Sequence, residues 1–422
     1  MILGQVSWLD CFVFLVFLAP RLIFNVGFFP TLFCGLQALP FLSMPTLFLE
    51  LYTFPQQIIK LPFTFLYERL LLSPEHQSPF VQQASWFEDV VIRCVRYAFA
   101  CIPAEIGRVF FSKYVALPFL RFRMLRHGYF RSPIHWNEAK QNGFEGIWII
   151  PDPSSKPDVV IYYAHGGGFS MGSSYFYLEF LLALVSLLKT SKKFQNPAIL
   201  ALEYTLVPDA SYPIQLHQAI AGYKYLLSIT HDPSQIVFSG DSAGATIILS
   251  LLLHIGNKNS KNTAVPQGGI EGVVPGMVAL ISPWTTLVSH KHRNTASDYL
   301  DADNLHEYAL QYVANRLSID DPLASPGNCK DVTWWRNATP SKGFFFSYGA
   351  EEVFAPEIRD LIKVLDRAGV PVEYQEAEAG IHAWPVVSLF LCSTKEKRLK
   401  GLQVIVKQIS TRLGAPAALT SA

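Results

Sequence analysis

From about residue 140 onward, short runs of β-branched and aromatic residues alternate with longer amphipathic stretches. Several of the short runs are continuously apolar, which is typical of strands buried on both faces of a sheet. This alternation predicts an α/β fold, with a mostly parallel central sheet and helices on both faces. The predicted strands are Gly146–Ile150, Val159–Ala164, Ile199–Tyr204, Ile236–Ser239, Met277–Ile281, Phe344–Tyr348 and Val372–Glu376. The predicted helices between them are Ser174–Lys189, Ile214–Thr230, Ala245–Ile255 and Ala355–Ala368.

Charge and cysteine content exclude several classes of protein. Lys and Arg number 34 and Asp and Glu number 33, so the chain lacks the excess of cations that a nucleic-acid-binding protein needs. The six Cys residues, at positions 11, 34, 94, 101, 329 and 392, form no paired CxxC spacing. We therefore expect no zinc site, and no nucleic acid among the partners.

The first 67 residues are strongly apolar. They hold 12 of the 31 Phe residues and only four charges, and residues 22–49 carry no charge at all. That run is longer than the roughly 20 residues of a membrane helix, but prolines at positions 20, 30, 40 and 45 disfavour one straight span. Two short segments, or a re-entrant or interfacial hairpin, fit better than a span or a signal peptide. The alternative is an apolar arm packed on the globular domain. We expect association with membrane lipids, at an endomembrane such as the endoplasmic reticulum, with no indication of which side.

A second segment, residues 107–137, mixes cations with aromatic residues and contains no acid. Such a mixture suits a membrane surface with anionic headgroups. It equally suits a helix whose long side chains cover the core while their charged ends stay in water. The six cations are Arg108, Lys113, Arg121, Arg123, Arg126 and Arg131.

The distribution of apolar, basic and alternating segments along the chain predicts four parts: a membrane-associated region (1–80), cap or linker helices (81–139), an α/β domain (140–410) and a flexible tail (411–422).

The segment Gly240-Asp241-Ser242-Ala243-Gly244 lies between a predicted strand and a predicted helix. A G-x-S-x-G turn in that context is a nucleophile elbow, where a sharp turn lifts the Ser hydroxyl off the sheet. The positive end of the helix dipole beneath it favours developing negative charge. The pattern therefore predicts Ser242 as a nucleophile.

The segment His165-Gly166-Gly167-Gly168 directly follows another predicted strand. Acyl transfer passes through an oxyanion that needs backbone N–H donors, and consecutive Gly residues let the backbone approach closely. We expect Gly166, Gly167 and Gly168, with Ala243 after the nucleophile, to form an oxyanion hole. A phosphate-binding loop is disfavoured, because no Lys-Ser/Thr follows. His165 is predicted to brace the loop and not to act as a base.

An acid and a base follow the last two predicted strands. Glu351 and Glu352 come just after Phe344–Tyr348, and His382 comes just after Val372–Glu376. A base must take the Ser proton and an acid must orient that base, and the chain order Ser, acid, His is typical of an α/β hydrolase. The residues alone leave Glu351 and Glu352 as alternatives.

Together these motifs resemble the hormone-sensitive-lipase-like carboxylesterases of the α/β-hydrolase fold-3 family. His165–Gly168 precede Ser242 in the way that family spaces HGGG and GDSAG. Glu203–Asp209 with Tyr212-Pro213 is similar to the family's D-Y-R-L-A-P-E segment, and Ile281–Trp284 to its Ser-Pro-Trp strand end. The resemblance covers about residues 140–405. The N-terminal region is similar to that of membrane-anchored fungal steryl-acetyl-hydrolase-like members.

The resemblance implies an α/β-hydrolase fold and a serine hydrolase that cleaves carboxylic esters through an acyl-enzyme, without metal or cofactor. Matching the family's acid motif favours Glu352 over Glu351, so the implied triad is Ser242, Glu352 and His382. Residues from about Phe87 to Phe130 would form a cap near the bilayer. That position suggests small-molecule lipophilic esters, of sterols, terpenoids, acylglycerols or acylated metabolites, as substrates.

Three other functions use the same residues or the same fold. The triad could hydrolyse amides or formamides, or could transfer the acyl group to an alcohol in place of water. A ligand-binding receptor of this fold is disfavoured, because the gibberellin receptors that resemble this family have lost the His that this chain keeps as His382. The sequence gives no indication of the oligomeric state.

Overall fold

The computed structural model describes residues 1–42, 65–257, 269–314 and 318–414. Eight strands form one sheet in the order β1-β2-β4-β3-β5-β6-β7-β8. The pairs β1–β2 and β2–β4 are antiparallel and the remaining pairs are parallel. The mostly parallel sheet predicted from the apolar runs is therefore confirmed. The strands are β1 (His135–Gln141), β2 (Phe144–Ile150), β3 (Val159–Ala164), β4 (Pro197–Glu203), β5 (Ile236–Asp241), β6 (Met277–Ile281), β7 (Phe344–Gly349) and β8 (Val372–Ala377).

Helices cover both faces of the sheet, as predicted for α/β alternation. The described helices are α1 (Trp8–Asn25), α2 (Phe28–Leu42), α3 (Pro79–Gln83), α4 (Trp86–Cys101), α5 (Ala104–Phe110), α6 (Lys113–Arg126), α7 (Leu178–Thr190), α8 (Ile214–Thr230), α9 (Ser242–Gly256), α10 (Ala302–Val313), α11 (Val332–Asn337), α12 (Ala355–Arg367), α13 (Trp384–Leu391) and α14 (Lys395–Leu413). One core lies between the sheet and α8, α9 and α12. The other lies between the sheet and α7 and α14.

Strand β4 shows why the central strands are apolar throughout. Ala198, Leu200 and Leu202 point into the core shared with α8 and α9, whereas Ile199 and Ala201 point into the core shared with α7. Successive side chains of a strand point to opposite faces, so a strand with a core on each side has no polar face.

Strand β1 was missing from the predicted set. Its sequence, HWNEAKQ, is polar, and most of its side chains are partly or fully exposed because it forms the edge of the sheet. It begins at His135, ahead of the predicted domain boundary at residue 140. The division at 80, 139 and 410 stays a prediction. Residues 43–64 of its first part and 415–422 of its tail lie outside the described residues.

The start of the chain packs against the sheet domain. Met1 and Leu3 are buried, and the Val6 N–H donates to the Phe390 carbonyl at 2.8 Å. Helix α1 continues along α5 and α6, where the Phe14 ring lies 4.6 Å from the ring of Phe110. The arm packed on the globular domain, the alternative reading of this segment, is thus correct for one face of α1.

A buried ionic cluster holds α1 in place. The Arg123 guanidinium donates to both carboxylate oxygens of Glu179, at 2.7 and 2.8 Å, and to Asp10 at 3.1 Å. Arg123 also donates to the Gly4 carbonyl at 2.7 Å. The side chains of Arg123 and Asp10 are fully inaccessible to solvent. Charged groups from distant parts of the chain therefore pair with one another in place of water, and Arg126 adds a further bond to Asp10 at 2.5 Å.

Some cations of residues 107–137 are bound within the fold, and others remain exposed and available to a membrane surface. Arg123 and Arg126 pair with Asp10, Arg108 with Asp209, and Lys113 with Glu138. Those four have structural partners. Arg121 and Arg131 are exposed and make no ion pair within the described ranges.

Among the described residues, one helix is long and apolar enough to cross a membrane by length and composition, Trp8–Asn25. Its buried residues, Asp10, Phe14, Leu18 and Leu22, repeat every four positions and form a single stripe. The opposite face is exposed and apolar.

Replacing Arg123 by Met should destabilise the fold by about 3–5 kcal/mol, because it leaves the buried Glu179 without its ion-pair partner and removes one of the two arginines that bond to Asp10. Arg121→Met, on the exposed face of the same helix, should change stability by about 0.5 kcal/mol or less. Urea denaturation of the two variants beside the wild type measures the difference. Equal unfolding midpoints for the two variants would contradict a structural role for the cluster.

Candidate active site

Ser242 lies at the turn between β5 and α9, where the sequence predicted it. Its φ angle is +50°, in the left-handed region that side chains rarely adopt. A Cβ at Gly244 would lie 2.2 Å from the Ala164 carbonyl oxygen, so only Gly permits the helix to start this close to β3. The strain and the crowding are both features of a nucleophile elbow.

The carboxylate of Asp241, next to Ser242, ties the glycine loop to this turn. One oxygen accepts from the Tyr163 hydroxyl at 2.7 Å and from the Gly166 N–H at 2.9 Å. The other accepts from the Tyr177 hydroxyl at 2.6 Å. Burial raises the pKa of Asp241, and the hydrogen bonds from Tyr177 and Tyr163 act in the opposite direction. The loop and the elbow are therefore held in a fixed relation.

The glycine loop presents free backbone donors. Gly167 has a φ of +116°, and a Cβ there would lie 2.1 Å from the Met171 carbonyl oxygen. The N–H groups of Gly167 and Gly168 make no hydrogen bond within the described residues. Ala243 lies in the first turn of α9, where N–H groups have no acceptor within the helix.

The predicted donor set needs one correction. The Gly166 N–H already donates to Asp241, so it is not available to an oxyanion. Its role is to anchor the loop, and the set of available donors narrows to Gly167, Gly168 and Ala243.

His165 braces the loop, as predicted. Its Nδ1 lies 2.8 Å from the Gly166 carbonyl oxygen, and its ring stacks on Tyr204 with centroids 4.3 Å apart. The Tyr204 hydroxyl donates to the His165 carbonyl at 2.8 Å. Burial lowers the pKa of His165 to about 4, so the ring is neutral at physiological pH.

The structure brings His382 and Glu352 together. Nδ1 of His382 lies 3.9 Å from Oε1 of Glu352, beyond hydrogen-bond distance, and neither atom has another partner among the described residues. Oε2 of Glu352 accepts from the Ser282 hydroxyl at 2.5 Å and from the Gly349 N–H at 2.9 Å. Ser282 in turn accepts from the Ala383 N–H at 2.9 Å. Catalytic hydrogen bonds of free enzymes are often long, so the separation of 3.9 Å is compatible with an acid that orients a base.

Glu351 is the alternative acid, and its environment differs. Glu352 is buried with one oxygen facing His382, whereas the Glu351 side chain is partly exposed. The geometry thus favours Glu352 as the acid.

The surroundings of His382 favour its charged form. Burial lowers the pKa of its imidazole, but Glu352, Asp298 and Asp241 more than offset that effect. The net pKa lies above its usual value of 6.5.

Asp298, in the loop after β6, is a site residue that the sequence analysis missed. Its carboxylate accepts from the His382 N–H at 2.9 Å and from the Val353 N–H at 2.8 Å. It therefore joins the segment that carries the acid to the segment that carries the base. Burial raises the pKa of Asp298 to about 6. No motif surrounds it in the sequence, so only the folded contacts identify it.

Helix α4 lies beside this loop, within the segment predicted to form a cap. The Phe99 ring of α4 lies 5.7 Å from the ring of Tyr299, and Tyr299 lies 5.8 Å from the His382 ring. The Arg96 guanidinium donates to the Ala296 carbonyl at 2.6 Å. The extent of the cap, from about Phe87 to Phe130, stays a prediction. No group of three or more His, Cys, Asp or Glu side chains among the described residues is placed to hold a metal ion.

Comparisons with known proteins agree with this architecture. A family model described as the alpha/beta hydrolase fold matches residues 161–386. An acetyl-hydrolase of Streptomyces hygroscopicus is 27% identical over 241 residues, covering 56% of this chain and 71% of that protein. Steryl acetyl hydrolase 1 of Saccharomyces cerevisiae is 23% identical over 268 residues, covering 57% and 58%. The solved structure of an esterase from the bacterial hormone-sensitive lipase family matches with a TM-score of 0.60 at 21% identity, covering 78% of this chain and 99% of that one, and shows the shared fold.

The family match extends over more than half of the chain, so the protein belongs to the alpha/beta hydrolase family. The resemblance to hormone-sensitive-lipase-like carboxylesterases is confirmed, and the protein is a hydrolase of the carboxylesterase class.

Replacing Glu352 by Gln should lower kcat by about 10²- to 10⁴-fold, because the imidazole loses its orienting charge. Glu351→Gln, one position away, should stay within about twofold of the wild type because Glu351 is partly exposed and surface changes are usually mild. Initial rates on p-nitrophenyl acetate provide the comparison. A larger loss in the Glu351 variant would reassign the acid.

Asp298→Asn should reduce kcat by roughly 10- to 100-fold, since an amide cannot accept from both backbone N–H groups and the positions of Glu352 and His382 become less fixed.

His382 must be neutral to accept a proton, so kcat/KM should fall on acidification with a midpoint above pH 6.5 in the wild type. Removing the Asp298 charge should move that midpoint to lower pH, a shift that a purely structural role would not produce. Exposed Asp303→Asn serves as the control, and an unmoved midpoint in Asp298→Asn would reject the electrostatic part of its role.

Proposed function

We propose that this protein hydrolyses short-chain carboxylic esters, acetyl esters foremost, of lipophilic alcohols such as sterols, through an acyl-enzyme on Ser242. The observation that carries the proposal is the elbow itself. Ser242 occupies a strained turn next to a loop whose Gly167 and Gly168 N–H groups have no other acceptor among the described residues. Strain and unpaired donors are stable only where the surrounding fold fixes them, and both serve acyl transfer.

The reaction proceeds in two halves. His382 takes the hydroxyl proton as the Ser242 oxygen attacks the ester carbonyl, and Glu352 stabilises the resulting imidazolium. The N–H groups of Gly167, Gly168 and Ala243 donate to the oxyanion. The alcohol leaves with the proton from His382. Water, deprotonated by His382, then releases the carboxylic acid and regenerates Ser242.

Two observations support the choice of substrate. The relatives named as acetyl-hydrolase, steryl acetyl hydrolase and acetyl esterase point to a small acyl group. In this chain, the Tyr308 ring of α10 lies against Gly168, 3.3 Å from where a Cβ would stand, and leaves little room beside the loop. A lipophilic alcohol fits the apolar N-terminal surface described above.

Membrane association at an endomembrane such as the endoplasmic reticulum is part of the proposal. The exposed face of α1 and the start of α2 carry eleven large apolar side chains. An apolar patch of this kind in water would promote aggregation, whereas a lipid surface would cover it.

Hydrolysis of p-nitrophenyl esters of increasing acyl length tests the proposal, with wild type beside Ser242→Ala. The wild type should prefer acetate over octanoate, and the variant should lose at least about 10³-fold in kcat. Equal rates in both proteins would show that Ser242 is not the nucleophile.

Two further assays test the alternative functions. A parallel series of p-nitroanilides tests amide hydrolysis, and an assay with added alcohol tests acyl transfer. Faster turnover in either assay would replace ester hydrolysis as the proposed function.

A further inference from the structure

The course of the chain restricts how the apolar N-terminal segment can meet a bilayer. Residues before it are fixed to the hydrolase domain, since Met1 and Leu3 are buried and Gln5 and Val6 bond to the end of α13. After it, Phe65 is buried again and its ring lies 5.4 Å from the ring of Trp86 in α4. A segment that leaves and rejoins the same body crosses a bilayer an even number of times. The residues on the two sides of this segment, Met1–Val6 and Phe65, therefore lie on the same side of any bilayer that the protein meets.

Helix α1 itself lies on the domain over its whole length. Its buried stripe runs from Asp10 to Leu22 and packs on Ile106 of α5 and Val115 of α6. The bidentate bonds from Arg123 to Glu179, with the shared bond to Asp10, fix its first turns. Pulling α1 into a bilayer would separate these buried charges, which costs several kcal/mol per ion.

The face opposite the stripe fits a lipid surface. Leu9, Val16 and Ile23 are 54%, 53% and 44% exposed and lie seven residues apart, on one side of the helix. Within residues 1–42 the only charges are Asp10, which is buried, and Arg21, which is exposed. Further exposed apolar side chains on this surface are Trp8, Phe12, Leu15, Phe24, Phe28, Phe29, Leu32 and Phe33.

Cations lie beside this face. The Arg21 guanidinium lies 4.9 Å from the Tyr114 ring centroid, at the edge where α1 meets α6. Arg121 is seven residues beyond Tyr114 on the same face of α6 and makes no ion pair among the described residues. Aromatic side chains flanked by free arginines match the apolar boundary and anionic headgroups of a bilayer better than they match a second copy of the same cationic face.

We propose that α1 lies in the plane of the membrane, with the Leu9–Val16–Ile23 face in lipid and the Asp10–Arg123–Glu179 cluster holding the opposite face to the hydrolase domain. The inference rests on the proposed membrane association and specifies its geometry. Helix α1 then lies on one face of the bilayer, and α4 beside the active site lies close to the bilayer, since the Trp8 ring contacts the Phe87 ring at 5.0 Å.

Depth-dependent quenching of a fluorescent amino acid tests the orientation. The amino acid replaces Leu9, Val16 or Ile23 in the full chain, bound to vesicles of phosphatidylcholine and phosphatidylserine with nitroxides at graded lipid depths. An in-plane helix predicts one common depth for the three positions. A spanning helix predicts depths that differ by about 10 Å between successive positions, at 1.5 Å per residue. The same probe at Tyr374, exposed on β8, should remain unquenched.

Vesicle flotation of the same samples distinguishes a failure of the in-plane geometry from a failure of membrane association. Flotation with graded depths would overturn the in-plane geometry and leave membrane association intact. Absence of flotation would overturn both, and concentration-dependent self-association through the same positions would assign the face to a second copy of the chain. The p-nitrophenyl ester assay is independent of all these outcomes.

Discussion

The site depends on the buried carboxylate of Asp241. It lies one residue before Ser242, which has a left-handed backbone, and accepts the Gly166 N–H across the gap between β5 and the glycine loop. Two tyrosine hydroxyls complete its hydrogen bonds, so a charged group can remain where burial disfavours charge. This contact fixes the glycine loop beside Ser242, and the N–H groups of Gly167 and Gly168 have no other acceptor among the described residues. Preorganisation of this kind is what electrostatic catalysis requires.

A second buried carboxylate, that of Asp298, holds the segments of Glu352 and His382 together. Asp298 accepts N–H bonds from the segments of Glu352 and His382, and Ser282 bonds to Glu352 and to Ala383 beside the base. The acid and the base therefore follow different strands but share two common anchors. Burial lowers the pKa of His382, but the charges of Glu352 and Asp298 bring it above its usual value, so the same carboxylates set both the geometry and the basicity of the site.

The sequence predicts the parts of this protein in which each residue's role is local. Apolar runs predict the buried strands, and a Ser between two glycines predicts the elbow, because strand burial and tight turns act over a few residues. Strand β1 is not predicted, because a strand at the edge of the sheet needs no apolar pattern. The sequence does not predict the contacts of Asp298 or of the Asp10–Arg123–Glu179 cluster. The partners in these contacts lie 55 or more residues apart, and single charged residues carry no periodic signal. The residues alone leave Glu351 and Glu352 as alternatives, and only the family motif favours Glu352; their difference in burial requires the fold. Gly166 matched the motif, yet its N–H was already bonded to a distant side chain.

We propose that Ser242 reacts while Gly167, Gly168 and Ala243 bind the oxyanion and the Gly166 N–H stays bonded to Asp241. The most direct measurement is a crystal structure of the protein after reaction with a p-nitrophenyl alkylphosphonate. We expect a covalent bond from phosphorus to the Ser242 oxygen, and a phosphoryl oxygen within hydrogen-bond distance of those three N–H groups. An adduct on another residue, or a phosphoryl oxygen bonded to the Gly166 N–H with Asp241 displaced, would contradict it.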